Sequence, residues 1–233
     1  MKTDIKEVRN TTMLLFDAVP ITELGGDLKG LGICQHPFTT STTILKPREN
    51  TTLDLTNPLD KAVYRQRVFD VIKKSDLSGC YLMIQTAWKM TWFKFCSPYM
   101  STKDFAEYLK QSWQQEENPN QDVNVSCREA IKYFKKANKK YLMEPEDKAY
   151  YDSLPDPLTV YRGVSPGREK YGLSWTDDKE KAEWFKARFE HNEPGILLTA
   201  TIPKKHAICY INDRDEKEIV IDVNAIKERI QEI

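Results

Sequence analysis

Glycine is scarce in this sequence, at 9 of 233 residues, and there are only three histidines and no C-x-x-C pair among the five cysteines. Each scarcity removes a class of function. No G-x-G-x-x-G and no G-x-x-x-x-G-K-[ST] occurs, so a nucleotide, if bound, is not held by a Rossmann or P-loop device. His36, His191 and His206 are too few and too scattered for a histidine-based metal site or triad, and the short Cys34-x-His36 has no second ligand pair at a zinc-like spacing. No metal is therefore expected. Cys34, Cys80, Cys96, Cys127 and Cys209 are odd in number and widely spaced, which suits reduced thiols in a cytosol. Apolar stretches such as Tyr81–Thr86 fall far short of the roughly 18–20 residues a membrane span needs. The opening residues alternate charges without the apolar block of a secretory signal, so the expected location is cytoplasmic.

Net charge is absent as well, with 35 Lys and Arg against 35 Asp and Glu. That balance is a cancellation between regions. Residues 1–60 carry 6 basic and 8 acidic side chains, 61–150 carry 16 and 11, and 151–233 carry 13 and 16. Neutrality overall therefore leaves room for one local basic surface.

Three textures follow one another. Residues 1–57 are Thr-rich, with Gly25-Gly26, Gly30 and Gly32, and read as short strands and loops. Residues 58–151 are helical in pattern. Thr56-Asn57-Pro58 is a helix start, and Trp88, Met90, Trp92 and Phe93 form an aromatic-rich stretch of the kind that packs cores. Ser126 with Glu129 is a capping box. If the helix it opens runs on to Tyr141, then Lys132, Lys135, Lys136, Lys139 and Lys140 share one face opposite Ala130, Phe134, Ala137 and Tyr141. A solvated face is the plain reading of such a stripe, and a docking stripe for nucleic acid or an acidic partner is the sharper one.

Residues 152–233 change character after Leu154-Pro155-Asp156-Pro157. The spacing predicts strands at Leu158–Val164, Leu173–Thr176, Gly195–Ile202, His206–Ile211 and Lys217–Val223, interrupted by one helix that Asp177 can cap, with apolar face Ala182, Phe185 and Phe189. No strand–helix–strand alternation supports a doubly wound sheet. The expected class is α+β, with a small, mostly antiparallel C-terminal sheet preceded by a mainly helical region.

Three short pieces of that last region matter together. They are Tyr161-Arg162-Gly163 on the first strand, Ser174-Trp175-Thr176 on the second, and Glu216-Lys217-Glu218 opening the apolar strand Ile219-Val220-Ile221. Singly, each is ordinary: a surface arginine, helix-start oxygens, two solvated carboxylates on one strand face. In this order and context they resemble the arginine–serine–glutamate class of ADP-ribosyltransferases, over about residues 157–223. The chain departs from the larger toxins of that class in the short interval between Arg162 and Ser174.

The resemblance implies a split β-sheet fold, NAD as co-substrate, and transfer of ADP-ribose to an acceptor with loss of nicotinamide. It implies Glu218 as the anion that stabilises an oxocarbenium-like ribose through the 2′-hydroxyl. Arg162 is the expected fork for the dinucleotide phosphates, Gly163 the backbone approach to the nicotinamide carboxamide, and Ser174 and Thr176 the groups that shape the cleft and orient Glu218. Trp175 is expected in the core, and Trp184 is a candidate to line the site. A Glu at the position of Glu216 goes with arginine acceptors in this family, so a host protein is the implied partner. The loop Asn212–Asp215 corresponds to its substrate-recognition turn. Compact forms of this kind occur in bacteria and bacteriophages. Other readings keep the fold with nucleic acid or water as acceptor, or make the chain a non-catalytic interaction protein.

Overall fold

The computed structural model describes residues 2–46, 50–190 and 193–233. His191 lies outside them. The chain divides into two compact units, Met1–Ser101 with Ser112–Glu117, and Thr102–Gln111 with Asn118–Ile233.

The first unit opens on α1 (Ile5–Ala18), whose N-cap Asp4 accepts from the Glu7 N–H. This corrects the expectation of strands and loops from the first residue. Val8, Thr12, Leu15 and Phe16 recur at helical spacing and are all buried, although the helix as a whole is polar. Two antiparallel hairpins follow, β1 (Ile33–His36) with β2 (Thr39–Ser41), and β3 (Thr43–Lys46) with β4 (Thr51–Asp54). Next comes α2 (Pro58–Ile72), started by the expected Asn57, whose side chain accepts from the Leu59 and Asp60 N–H groups. α3 (Leu77–Leu82) and α4 (Lys89–Cys96) complete the unit's core, where Met90, Trp92 and Phe93 are fully buried and the Trp92 indole donates to Thr12 Oγ1 at 2.9 Å. α5 (Thr102–Gln115) contributes residues to both units.

Cys34 and His36 are satisfied within this first unit. The Cys34 thiol donates to the Thr39 carbonyl at 3.6 Å, and the two His36 ring nitrogens meet the Phe16 carbonyl and the Phe38 N–H.

The second unit begins with α6 (Cys127–Lys136), α7 (Lys139–Leu142) and α8 (Pro145–Ser153). The Ser126–Glu129 capping box is present with both of its hydrogen bonds. The single helix expected up to Tyr141 is not: Ala137 turns extended and Asn138 caps a new helix by accepting from the Lys140 N–H. A side chain that caps so well competes with the helix interior, which is why the chain breaks there.

The strands are β5 (Leu158–Val164), β6 (Ser174–Trp175), β7 (Ile196–Ile202), β8 (Ala207–Ile211), β9 (Glu218–Ile221) and β10 (Gln231–Glu232), with α9 (Lys179–Ala187) between β6 and β7. All pair antiparallel, in two three-stranded sheets ordered β10-β7-β5 and β6-β9-β8. A single bridge, Tyr161 with Thr176, joins β5 to β6. The fold is thus α+β with small antiparallel sheets. β9 is the central strand of its sheet, and Ile219, Val220 and Ile221 are fully buried. Among the described residues no helix is long and apolar enough to cross a membrane.

Candidate active site

The bridge between the two sheets positions the three motifs. Tyr161 exchanges both backbone hydrogen bonds with Thr176, at 2.7 and 2.9 Å. Ser174 pairs with Val220 and Trp175 with Ile219, and the next step of that register brings Thr176 alongside Glu218. Residues opposite each other in an antiparallel pair share a face, and residues two apart on one strand do so too. Ser174, Thr176 and Glu218 therefore line one face of the sheet. Trp175 takes the other, where it is buried and its indole donates to the Gly172 carbonyl at 3.0 Å.

Arg162 is the hub of the junction. It is 8% exposed, and each of its three guanidinium nitrogens donates to a backbone carbonyl: Nη1 to Ser174 at 2.7 Å, Nη2 to Glu169 at 2.8 Å, and Nε to Lys170 at 3.4 Å. Burial pulls its pKa down to about 10, and the charges of Glu218 and Glu169 act to raise it. The cation is thus kept at neutral pH, within electrostatic reach of Glu218. Its fork is occupied by the first residue of β6 and the loop before it, where the sequence led to expect a phosphate clamp. One N–H remains on each terminal nitrogen.

Gly163 serves two neighbours. A Cβ there would run into the Ala182 carbonyl and the Lys186 N–H of α9, so the glycine is what lets the helix lie on β5. Its own peptide groups point the other way from those of Arg162. Because Tyr161 directs both of its groups to β6, two-residue alternation sends the Gly163 N–H and C=O to the same edge, where the two sheets part.

Glu218, the first residue of β9, is 8% exposed and pairs with Ile211. Its neighbour Cys209 is fully buried, and burial together with the Glu218 charge holds that thiol well above its ordinary pKa, so it is not a nucleophile at neutral pH. Glu216 sits in the preceding turn, about one-third exposed, with Arg214 Nη1 at 3.9 Å. Thr176 is buried, and its hydroxyl accepts from the Asp178 N–H at 3.1 Å. Asp178, rather than the expected Asp177, then caps α9 by accepting from the Lys181 N–H. Asp177 accepts instead from the Tyr150 hydroxyl at 2.6 Å. Trp184 is 56% exposed and packs edge-on against Phe185, outside this cluster. Of the expected apolar face of α9, Ala182 alone is buried.

Several residues that shape the site carry no motif. Asn120 Oδ1 accepts from the Leu173 N–H at 2.7 Å, and the Gln121 side chain reaches the Gly167 carbonyl at 3.4 Å. A Cβ on Gly172 would strike both the Arg162 guanidinium and Asn120. The short loop 165–173 is thereby pinned from two sides. Sequence reading missed both residues: Gly172, directly before a predicted strand, carries a signal that could have found it, and Asn120 carries none.

The lysine stripe is divided and largely engaged. Lys135 pairs with Asp222 at 2.5 Å, Lys136 lies over the Phe105 ring, and Lys139 donates to the Tyr151 hydroxyl at 3.0 Å. Lys140 stands off the Tyr141 ring, and Lys132 is exposed. A groove of about 420 Å³ against α9 and β7, lined by Lys179, Glu183, Lys186, Glu190, Leu197 and Ile233 among others, contains none of the motif residues. Among the described residues no group of His, Cys, Asp and Glu is arranged to hold a metal ion. No family model, curated protein or solved structure matches the chain.

Proposed function

We propose that the chain is an NAD-dependent mono-ADP-ribosyltransferase acting on arginine side chains of a host protein, in the cytoplasm of a bacterial cell, with the second unit as a compact split-sheet catalytic fold. One observation carries the reading. Arg162 and Ser174, on successive strands, and Glu218, far along the chain from both, converge where β5 bridges β6 and β9 pairs with β6, with the buried cation under the charge of the carboxylate.

The residues fit the nicotinamide ribose half of NAD. The Gly163 peptide groups, turned to the gap between the sheets, suit a carboxamide, which both donates and accepts. Glu218 supplies an anion on the face it shares with Ser174 and Thr176. The bond between ribose C1′ and the nicotinamide nitrogen breaks with its electron pair leaving on nicotinamide, and Glu218 stabilises the positive charge developing on the ribose. An acceptor guanidine nitrogen then bonds to C1′ while its proton passes to Glu216. Arg162 acts here as a positioning residue, holding loop 165–173 and setting a buried positive charge near Glu218, since its fork is already occupied by carbonyls.

Release of nicotinamide from NAD tests the reading. Glu218→Gln keeps size and hydrogen-bonding capacity while removing the anion, and is expected to lower release about 100-fold or more. Unchanged release would overturn the mechanism. With agmatine as acceptor, Glu216→Gln is expected to lose transfer far more than it loses NAD hydrolysis, and equal loss of both would refute the division of labour between the two glutamates.

A further inference from the structure

The turn that delivers Glu216 is unusual in its backbone. Asp215 and Lys217, immediately before and after Glu216, both lie in the left-handed region, with φ of 55° and 49°. Neither is glycine, and such residues are uncommon there without something to hold them. Local hydrogen bonds account for part of the holding: the Asp215 N–H donates to the Asn212 carbonyl at 3.0 Å, and the Lys217 N–H to Asn212 Oδ1 at 2.9 Å. The remainder comes from other elements. Lys217 Nζ pairs with Asp178 Oδ2 at 2.8 Å, and Lys181 Nζ with Asp215 Oδ2 at 3.4 Å, so both strained residues are tied to the first turn of α9. On the far side of the turn, Asp147 accepts from the Asn212 N–H and Lys110 pairs with Asp213 at 3.1 Å.

We infer that the Asp178–Lys217 pair is a positioning clamp, which fixes the direction of Glu216 relative to Glu218 and so decides whether ADP-ribose goes to a guanidine acceptor or to water. The inference rests on the transferase reading of the same site. Its logic is that of strand geometry. Side chains two apart on a strand point to one face, but Glu216 precedes β9 and has no ladder partner to orient it. Orientation is supplied by the conformation of Lys217, the one residue between the two glutamates. Lys217 holds its positive φ while its ammonium reaches Asp178. Asp178 has a carboxylate oxygen for each task, Oδ1 for the helix cap and Oδ2 for the lysine.

The experiment compares wild type with Lys217→Met, Lys217→Gly, Asp178→Asn and the Lys217→Met/Asp178→Asn double variant. Asparagine retains the cap while removing the charge. Glycine accepts the positive φ without strain while removing the ammonium. Nicotinamide release gives the total turnover, and the ratio of ADP-ribosyl-agmatine to free ADP-ribose gives the partition. The clamp predicts that this ratio falls about tenfold in each single variant, because misplacing a reacting group costs rate on that scale. It also predicts that total release stays within about twofold of wild type. The double variant should fall no further than either single one, because both remove the same interaction. A ratio unchanged in Lys217→Met and Asp178→Asn would overturn the clamp, as would a wild-type ratio in Lys217→Gly. A parallel fall in release would overturn it too, by moving the effect to Glu218. Wild-type protein that releases no nicotinamide would bring down the transferase reading, and the clamp with it.

Discussion

Two glycines do most to set the geometry around Arg162, and they do it by opposite means. Gly163 admits a helix, whereas Gly172 admits a side chain, the Arg162 guanidinium. Gly163→Ala is therefore expected to destabilise the folded chain by about 3 kcal/mol, the upper range for forcing extra volume into a packed site, as measured by urea unfolding. Backbone cannot step aside as a flexible side chain can, and the atoms in the way at position 163 belong to α9 backbone. That the three motifs lie on neighbouring strands was legible in the sequence, because each sits on or beside a run of strand-forming residues. Arg162 shows where legibility stops. Its identity could be read from its motif, but the destination of its donors depends on a loop whose path no local pattern specifies. The cap of α9 illustrates the same limit on a smaller scale. Asp177 and Asp178 are chemically equal candidates, and the choice falls to Asp178 because Tyr150 engages its neighbour.

Among the elements, five of the six strands described in the C-terminal region could be read to within a residue or two, since runs of β-branched residues between turn signals have few other uses, whereas the two-residue β10 carries no such run. α1 could not, because its four buried positions are diluted by polar neighbours and its flanking region is rich in threonine and glycine. The break after α6 was hidden by a lysine pattern that continues across it. The loop 165–173 is the element that closes the short interval between Arg162 and Ser174. Asn120 holds it through a single hydrogen bond to Leu173. Losing that bond leaves the N–H of the buried Leu173 without its partner, at a cost of about 1 kcal/mol, equivalent to roughly fivefold in affinity. In the transferase reading, Asn120→Ala is thus expected to raise the KM for NAD about fivefold with kcat little altered. A fall in kcat at constant KM would place the loop's role in the chemical step instead.

At the scale of the whole molecule, stability depends on pH through a buried cation remote in sequence from the motifs. Lys89 is 3% exposed, donates to the Tyr81 carbonyl at 2.8 Å and lies over the Tyr81 ring, and burial lowers its pKa from 10.5 to about 8. Between those two values the unfolded chain holds a proton on this group that the folded chain has released, so stability rises with pH across that window. Below about pH 8 both states are protonated, and the folded one bears the full cost of a buried charge. Tyrosines whose ionisation is suppressed by burial, Tyr150 and Tyr210, act in the opposite sense above pH 10, because the unfolded chain loses their protons first. Comparison with Lys89→Met separates the two effects. Unfolding free energies measured from pH 7 to 10.5 should converge between wild type and variant as pH rises, if the variant is the more stable at pH 7. A constant difference would mean that Lys89 has its ordinary affinity for a proton.

The place of β9 between β6 and β8 has a consequence for how the protein is made. Both neighbours precede it in the chain, so a nascent polypeptide presents β6 and β8 before the strand that joins them has left the ribosome. Glu218 is the first residue of that late strand, and Ser174 acquires its partner Val220 only when β9 inserts. Nothing that needs the junction can begin before β9 has emerged. The junction is therefore absent from a nascent chain until the central strand has been threaded into place.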